Sequence, residues 1–336
     1  MLRIGLSAAE YNIHRITIHL PESQTGKEFT RDGVSSFYKG HEMLEMIQRA
    51  ALALGLTNYT AEAERRGKDI YLTSIRPDEP GEVPEEKTVP KNSVTFGADA
   101  EYMIFGTGTE RPKAVQINSG RAEADTDDAL IRKGYNFYKP VFELRPSPAS
   151  SGEELHSNLL SLYSKAVRQA GLISAEIRGG ANPFGRFMLG GHFHFGSLQP
   201  SFRKTKELDA FLAIPWALTE NRQEAGRRKS TWGCLGNVRS NRFGGFEYRT
   251  LSSWAGKIPG ARPLFTYMAW LVKQGNLPSP EIPDRILAAF AEDDREELLQ
   301  YTEEVFIKLL QTFRGEGDRA AITGFKNYIK RNMSGF

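Results

Sequence analysis

Polar and apolar residues alternate with a period of two along residues 13–20, where Thr17 and His19 separate Ile16, Ile18 and Leu20. That period predicts a half-buried strand, with His14 and His19 on its solvent side. Residues 1–8 and 70–75 read as further strands. Between them Leu44, Ile47, Ala51 and Leu54 fall at helical spacing and predict a helix over residues 39–55. These elements make a small α+β unit, placed at residues 1–85. Pro77, Pro80, Pro84 and Pro90 then fall among acidic residues, which predicts a linker or extended loop over residues 76–92. The main domain is placed at residues 86–336.

In that domain the alternation returns four times, and each time the polar partners are charged or imidazole. Gly-Ala-Asp-Ala-Glu at 97–101 puts Asp99 and Glu101 on one face of a strand. Phe142 to Pro146 does the same for Glu143 and Arg145, and Phe246 to Thr250 for Glu247 and Arg249. Gly-Gly-His-Phe-His-Phe-Gly at 190–196 puts His192 and His194 on one face and Phe193 and Phe195 on the other, with glycines that let a ligand come close. Taken alone, this last stretch is equally a core strand with two hydrogen-bonded histidines. Side by side in one sheet, the four segments present Asp99, Glu101, Glu143, His192, His194 and Glu247 to a common cleft. Carboxylates crowded together repel unless a cation joins them, and hard divalent cations take oxygen ligands with an occasional imidazole. A metal–phosphate site explains the set better than four unrelated solvated faces.

Other segments place these strands. The glycines of residues 106–120 lack the Gly-Lys-Ser/Thr ending of a Walker loop. Residues 114–117 read as a returning strand. Residues 118–133, with Asp125, Asp127 and Asp128, read as a solvated turn or helix start. Ser150 or Ser151 caps a helix with the stripe Leu155, Leu159, Leu162 and Val167, and His156 on it is structural. Residues 137–145 form the second charged strand, and 177–185 a loop. Residues 205–228 are helical in pattern but interrupted by Pro215. Residues 232–245 read as a glycine- and arginine-rich loop carrying Arg239 and Arg242. Residues 261–274 and 282–314 are helical, the latter in two pieces.

Composition narrows the class. The chain has 336 residues, 40% hydrophobic and 25% charged, as in an ordinary soluble globular protein. A net charge of +3 is too small to argue for nucleic acid. The single cysteine, Cys234, rules out an internal disulfide framework. Glu10, His14, Arg15 and His19 interrupt residues 1–20, so no apolar targeting or membrane segment is read there, and the expected location is the cytoplasm.

In their order along the chain, the four motifs resemble those of the glutamine synthetase-like carboxylate–amine ligases, in particular the phage-type amidoligases of the COOH–NH2 ligase class. The resemblance covers residues 94–254. It implies an α+β fold with a curved, funnel-like antiparallel sheet and helices on its outer face. It implies ATP and two or more Mg²⁺ (or Mn²⁺) ions as cofactors. It implies Glu101 and Glu143 as ligands of a metal near the acceptor, and Asp99, His192 and Glu247 as ligands of a nucleotide-side metal. Arg249 resembles a phosphate-contacting arginine, and His194 a position beside nucleotide or substrate. Arg239 or Arg242 would join Arg249 on the transferring phosphoryl group; Arg145 either binds a substrate carboxylate or pairs with a neighbouring ligand. Gly196 stands where the family carries a hydroxyl residue, and only one of two further glutamates, Glu143, has a counterpart. The expected activity is ATP-dependent amide formation from a small-molecule or peptide carboxylate and an amine, through an acyl phosphate. The alternatives are a metal-dependent hydrolase and a non-catalytic binding protein. No nucleic-acid or membrane partner is expected, and homo-oligomerisation is open.

Overall fold

The computed structural model describes residues 2–19, 27–28, 40–79, 93–113, 124–126, 131–133, 136–230, 232–241 and 244–333. The chain forms two compact units, Met1–Thr88 with Pro200–Thr205, and Val89–Gln199 with Lys206–Phe336.

The first unit is an antiparallel sheet in the order β3-β2-β1-β4-β5 with one helix. Its strands are β1 (Leu2–Ala9), β2 (Asn12–His19), β3 (Lys27–Glu28), β4 (Asn58–Arg66) and β5 (Asp69–Pro77); helix α1 spans Gly40–Leu54. Leu2, Ile4 and Leu6 of β1 are buried, as are Met43, Leu44, Ile47 and Ala51 of α1. Strand β4 is not apparent from the sequence. Its buried apolar positions are Tyr59, Ala61 and Ala63, and two alanines give little hydrophobic or strand signal. Residues 200–205 join this unit through Phe202, edge-on to Tyr11 at 4.9 Å, and through Thr205, whose hydroxyl accepts from Tyr11 Oη at 3.0 Å.

The second unit is built on a seven-stranded antiparallel sheet. Its strands are β6 (Thr95–Gly106), β7 (Ala124–Thr126), β10 (Val141–Leu144), β11 (Ala175–Arg178), β12 (Gly191–Gly196), β13 (Val238–Ser240) and β14 (Phe246–Tyr248). The order is β13-β14-β12-β6-β10-β7, and β11 also pairs with β6. The strand expected over 137–145 is two strands. β9 (Asn136–Tyr138) pairs with β8 (Ile131–Lys133), and β10 starts after Pro140, whose missing N–H ends a ladder. Part of the acidic stretch expected to be a turn or helix start is extended, as β7 and β8. The strand expected at 114–117 lies outside the described residues.

One face of this sheet is apolar. Phe96, Ala98, Ala100, Tyr102, Phe142, Leu144, Phe193, Phe195, Phe246 and Tyr248 are all buried, and register places them on one side. Helices α2 (Gly152–Leu172) and α6 (Arg262–Lys273) cover it. Phe193 stacks on Trp254 at 5.6 Å and meets Phe265 of α6 edge-on at 5.3 Å. Gly152 packs so closely on α6 that a Cβ there would stand 2.1 Å from Phe265 O, so only glycine fits. Ser151 caps α2 by accepting from Glu154 N–H at 3.2 Å. The buried stripe of α2 is Leu155, Leu159, Ala166 and Ala170; Val167, expected in it, is exposed.

Pro215 does not interrupt its helix. Helix α3 (Phe202–Leu208) runs through a π-helical turn at Asp209–Ala213 into α4 (Ile214–Ala217), and the widened turn directly before Pro215 accommodates its ring and missing N–H. The break falls later, and α5 (Arg222–Lys229) restarts with Asn221 as its cap. Asp293, in the left-handed region at φ 59°, separates α7 (Asp284–Glu292) from α8 (Arg295–Thr312). A last helix, α9 (Glu316–Asn332), extends beyond the expected end of the helical region. No described helix is long and apolar enough to cross a membrane.

Candidate functional site

The opposite face of the seven-stranded sheet collects the charged residues. Register sets Arg239 of β13 opposite Glu247 of β14, Glu247 opposite His194 of β12, and His194 opposite Gly97 of β6. Two residues along, His192 stands opposite Asp99, and Glu101 opposite Glu143 of β10. Antiparallel partners share a face, so five strands deliver these side chains to one side. Gly97 gives His194 its room, since a Cβ there would lie 3.2 Å from the histidine Cβ.

Asp99 is the centre of the group. His192 Nδ1 lies 2.8 Å from its Oδ1 and His194 Nε2 lies 2.8 Å from its Oδ2. His192 Nδ1 is also 3.2 Å from Glu247 Oε1. Arg239 donates to Glu247 Oε2 from Nε (2.9 Å) and Nη2 (2.6 Å), and Arg249 Nε stands 3.2 Å from Oε1. Arg145 pairs with Glu143. Glu101 turns aside: its Oε2 accepts from Gly190 N–H at 2.5 Å.

These neighbours divide the carboxylates. Burial works to raise Glu247, but hydrogen bonding to His192 and the charges of His192 and Arg249 outweigh it and hold the carboxyl at about 2. Asp99 is likewise driven well below the usual range by the two imidazoles, against its burial. Glu143 goes the other way. Burial, and then the charge of Asp99, push it up to about 8 despite Arg145. Burial works to lower His192, but Asp99 and Glu247 raise it to about 10. Burial and the charge of Asp99 thus favour the protonated form of Glu143, and Asp99 and Glu247 favour the charged form of His192.

Two sets of ligand atoms lie close enough to share a cation, each within 4.8 Å: Asp99, Glu143 and His192, and Asp99, His194 and Glu247. The residues fit such an ion. The donors are oxygens with one imidazole each, and Glu143 is pushed up to about 8 by burial and by the neighbouring charge of Asp99 despite Arg145, a crowding that a cation between the two carboxylates would relieve. The grouping differs from the one the resemblance implies: it includes His194 and leaves Glu101 with Gly190.

A cavity of about 310 Å³ opens beside this group, lined by Glu101, His192 and Arg249 and by residues the sequence did not mark. Those include Arg186, Phe187, Arg228 and Trp232. Arg228 falls at the end of the helix expected over residues 205–228, in the basic run Arg227-Arg228-Lys229. Arg239 is not on a loop, as expected from its glycine-rich surroundings, but on edge strand β13, where pairing with β14 aims it at Glu247. Arg242 lies outside the described residues. His156 is structural, with Nε2 2.8 Å from Ile258 O.

No curated protein matches the sequence. Solved structures similar to the chain include GmaS, gamma-glutamylmethylamide synthetase, without ligand: TM-score 0.42 and 11% identity over 71% of this chain and 68% of that one. A GmaS/ADP complex matches at TM-score 0.40 and 8% identity, over 71% and 69%. A family model, phage phiEco32-like COOH·NH2 ligase-type 2, matches residues 96–334, which takes in the whole polar face and the helices behind it. The chain belongs to the phage phiEco32-like COOH·NH2 ligase-type 2 family.

Proposed function

We propose that this protein is an ATP- and Mg²⁺-dependent carboxylate–amine ligase that works through an acyl phosphate. The observation that carries the reading is the convergence of Asp99, Glu143, His192, His194 and Glu247 on one sheet face, with Arg249 beside them on the cavity wall. Asp99, Glu143 and His192, and Asp99, His194 and Glu247, would hold the cations. Bound there, Mg²⁺ would neutralise phosphate charge and align the reacting oxygens.

The chain's own residues do the rest. A substrate carboxylate oxygen attacks the γ-phosphorus of ATP, the bond to the bridging oxygen breaks, and ADP leaves. The amine nitrogen then attacks the acyl carbon and phosphate leaves, so the product is the two substrates less water. Phosphoryl transfer of this kind needs positioning and charge compensation rather than covalent help. Arg249 supplies a guanidinium at the cavity, kept in place by Glu247 and suited to phosphate oxygens. Arg239 holds the other oxygen of Glu247 and so fixes the carboxylate between two cations. This density of arginines suits a polyphosphate better than a water nucleophile, and favours ligation over hydrolysis. The partners are a small-molecule or peptide carboxylate and an amine.

The test is trapping. With ATP, Mg²⁺ and hydroxylamine, a panel of amino acids and dicarboxylates should contain an acid that yields a hydroxamate with equimolar ADP. No hydroxamate from any acid, together with cleavage of an ester or amide without ATP, would establish a hydrolase instead.

A further inference from the structure

Helix α5 ends in three consecutive basic residues, and each reaches in a different direction. Arg227 Nη1 donates to Gly185 O at 2.6 Å, on the segment that carries Arg186 and Phe187 to the cavity. Lys229 Nζ donates to Asp293 Oδ1 at 2.5 Å, in the helical layer. Arg228 is buried and reaches the end of β14: Nη1 donates to Thr250 O at 2.5 Å and Nη2 to Arg249 O at 3.0 Å. Its own carbonyl accepts from Trp232 N–H at 3.0 Å and Gly233 N–H at 2.8 Å. One residue thus fastens both the backbone of Arg249 and the start of the loop that brings Trp232 to the cavity, and it lines that cavity itself.

We propose that Arg228 is the positioning residue for Arg249: it fixes the main chain from which the Arg249 guanidinium reaches Glu247 and the bound anion. A bifurcated guanidinium is what the geometry requires, because two carbonyls on successive residues must be held from one rigid plane. A lysine keeps the charge but not the fork. Gly233 offers an independent way to disturb the same clasp. A Cβ there would stand 2.2 Å from Arg228 Nη1, so alanine must displace the guanidinium without changing any charge. The inference rests on the ligase reading only for the identity of the anion, MgATP.

The experiment compares full-length wild type, Arg228→Lys and Gly233→Ala. It measures MgATP affinity by calorimetry, KM and kcat for hydroxamate formation, and thermal midpoint. We expect Arg228→Lys to weaken MgATP binding and raise its KM, with a loss in kcat/KM of about 10²-fold, the scale on which an ångström of misplacement acts. Gly233→Ala should move the same quantities in the same direction by a smaller factor, with a thermal midpoint close to wild type. Unchanged MgATP affinity in a folded Arg228→Lys or Gly233→Ala protein overturns the positioning role, as does a lowered midpoint with unaltered KM. A wild type that binds MgATP but forms no hydroxamate overturns the ligase reading alone, and the affinities of the two variants still decide the role of Arg228. A wild type that binds no MgATP overturns both.

Discussion

Each unit of this protein contains an antiparallel sheet with an apolar face against helix and a charged face opposite, but the charges are arranged differently. In the first sheet they pair locally and near water. Arg15 and Glu28, both 66% exposed, meet at 2.6 Å across β2 and β3. Glu64 is buried but flanked by Arg3 and Arg66, both largely exposed. In the second sheet Asp99, Glu143, His192 and Glu247 are all buried and converge from four strands. Pairing at the surface contributes little and implies nothing about ligands. Burying several carboxylates around one point costs stability unless cations gather there too, and this buried convergence of Asp99, Glu143 and Glu247 with His192 and arginines separates a candidate site from a solvated sheet face.

Among substitutions in the two sheets, one at Glu247 should have the greatest consequence. Glu247→Gln leaves Arg239, Arg249 and His192 without their shared counter-charge. Removing one partner from such a buried group costs about 3–5 kcal/mol. MgATP-dependent turnover should be lost at the same time. Denaturant midpoints and ADP release check both, and a fully stable variant with wild-type turnover would reduce the row to ordinary surface charge.

On the apolar side of the same sheet, Phe193→Ala should cost about 3–5 kcal/mol by chemical denaturation, since it empties the space between Trp254 and Phe265. It should leave the pH dependence of stability as in wild type, because no titrating group is moved.

Glu143 should behave oppositely to Glu247. Its folded value, about 8, lies above the ordinary 4.5. The folded state therefore holds a proton that the unfolded state releases. The associated stability is complete below about pH 4.5 and is lost as pH rises through about 8. Without Mg²⁺, Glu143→Gln should then be more stable than wild type at pH 8 to 9, by on the order of 1–3 kcal/mol, and no more stable at pH 4. Thermal melts across that range check the sign.

The smallest effect belongs to the first sheet. Arg15→Ala or Glu28→Ala should change stability by less than about 1 kcal/mol and leave MgATP binding untouched. A large loss of binding would mean that the charged face of the first sheet serves the site as well.

Much of the second sheet was legible because its chemistry is written with a period of two. His192 and His194, or Asp99 and Glu101, declare a shared face from spacing alone. What spacing does not contain is register, since pairing depends on turns and crossovers between distant segments. That Asp99, not Glu101, lies at the centre follows from its standing opposite His192 rather than Gly190. Arg239 looked like a loop residue because β13 is three residues long and set among glycines and asparagines. Strand β4 was hidden by its alanines. Arg228 was hidden in a different way. A basic helix end is usually a solvated cap, and nothing local tells that one of its three cations turns inward to hold two carbonyls on another segment.

On this reading the polar row holds a divalent cation beside phosphate. Mg²⁺ titration in the presence of ATP tests it most directly, followed calorimetrically at pH 7 in two buffers of different ionisation enthalpy. A cation binds the ionised form of Glu143 and the neutral form of His192, both of which the empty site disfavours, so proton release is expected as the ion enters. Saturable binding with net proton release, a raised thermal midpoint, and less proton release with Glu143→Gln are expected. Mg²⁺ that neither binds, nor releases protons, nor moves the midpoint would contradict it.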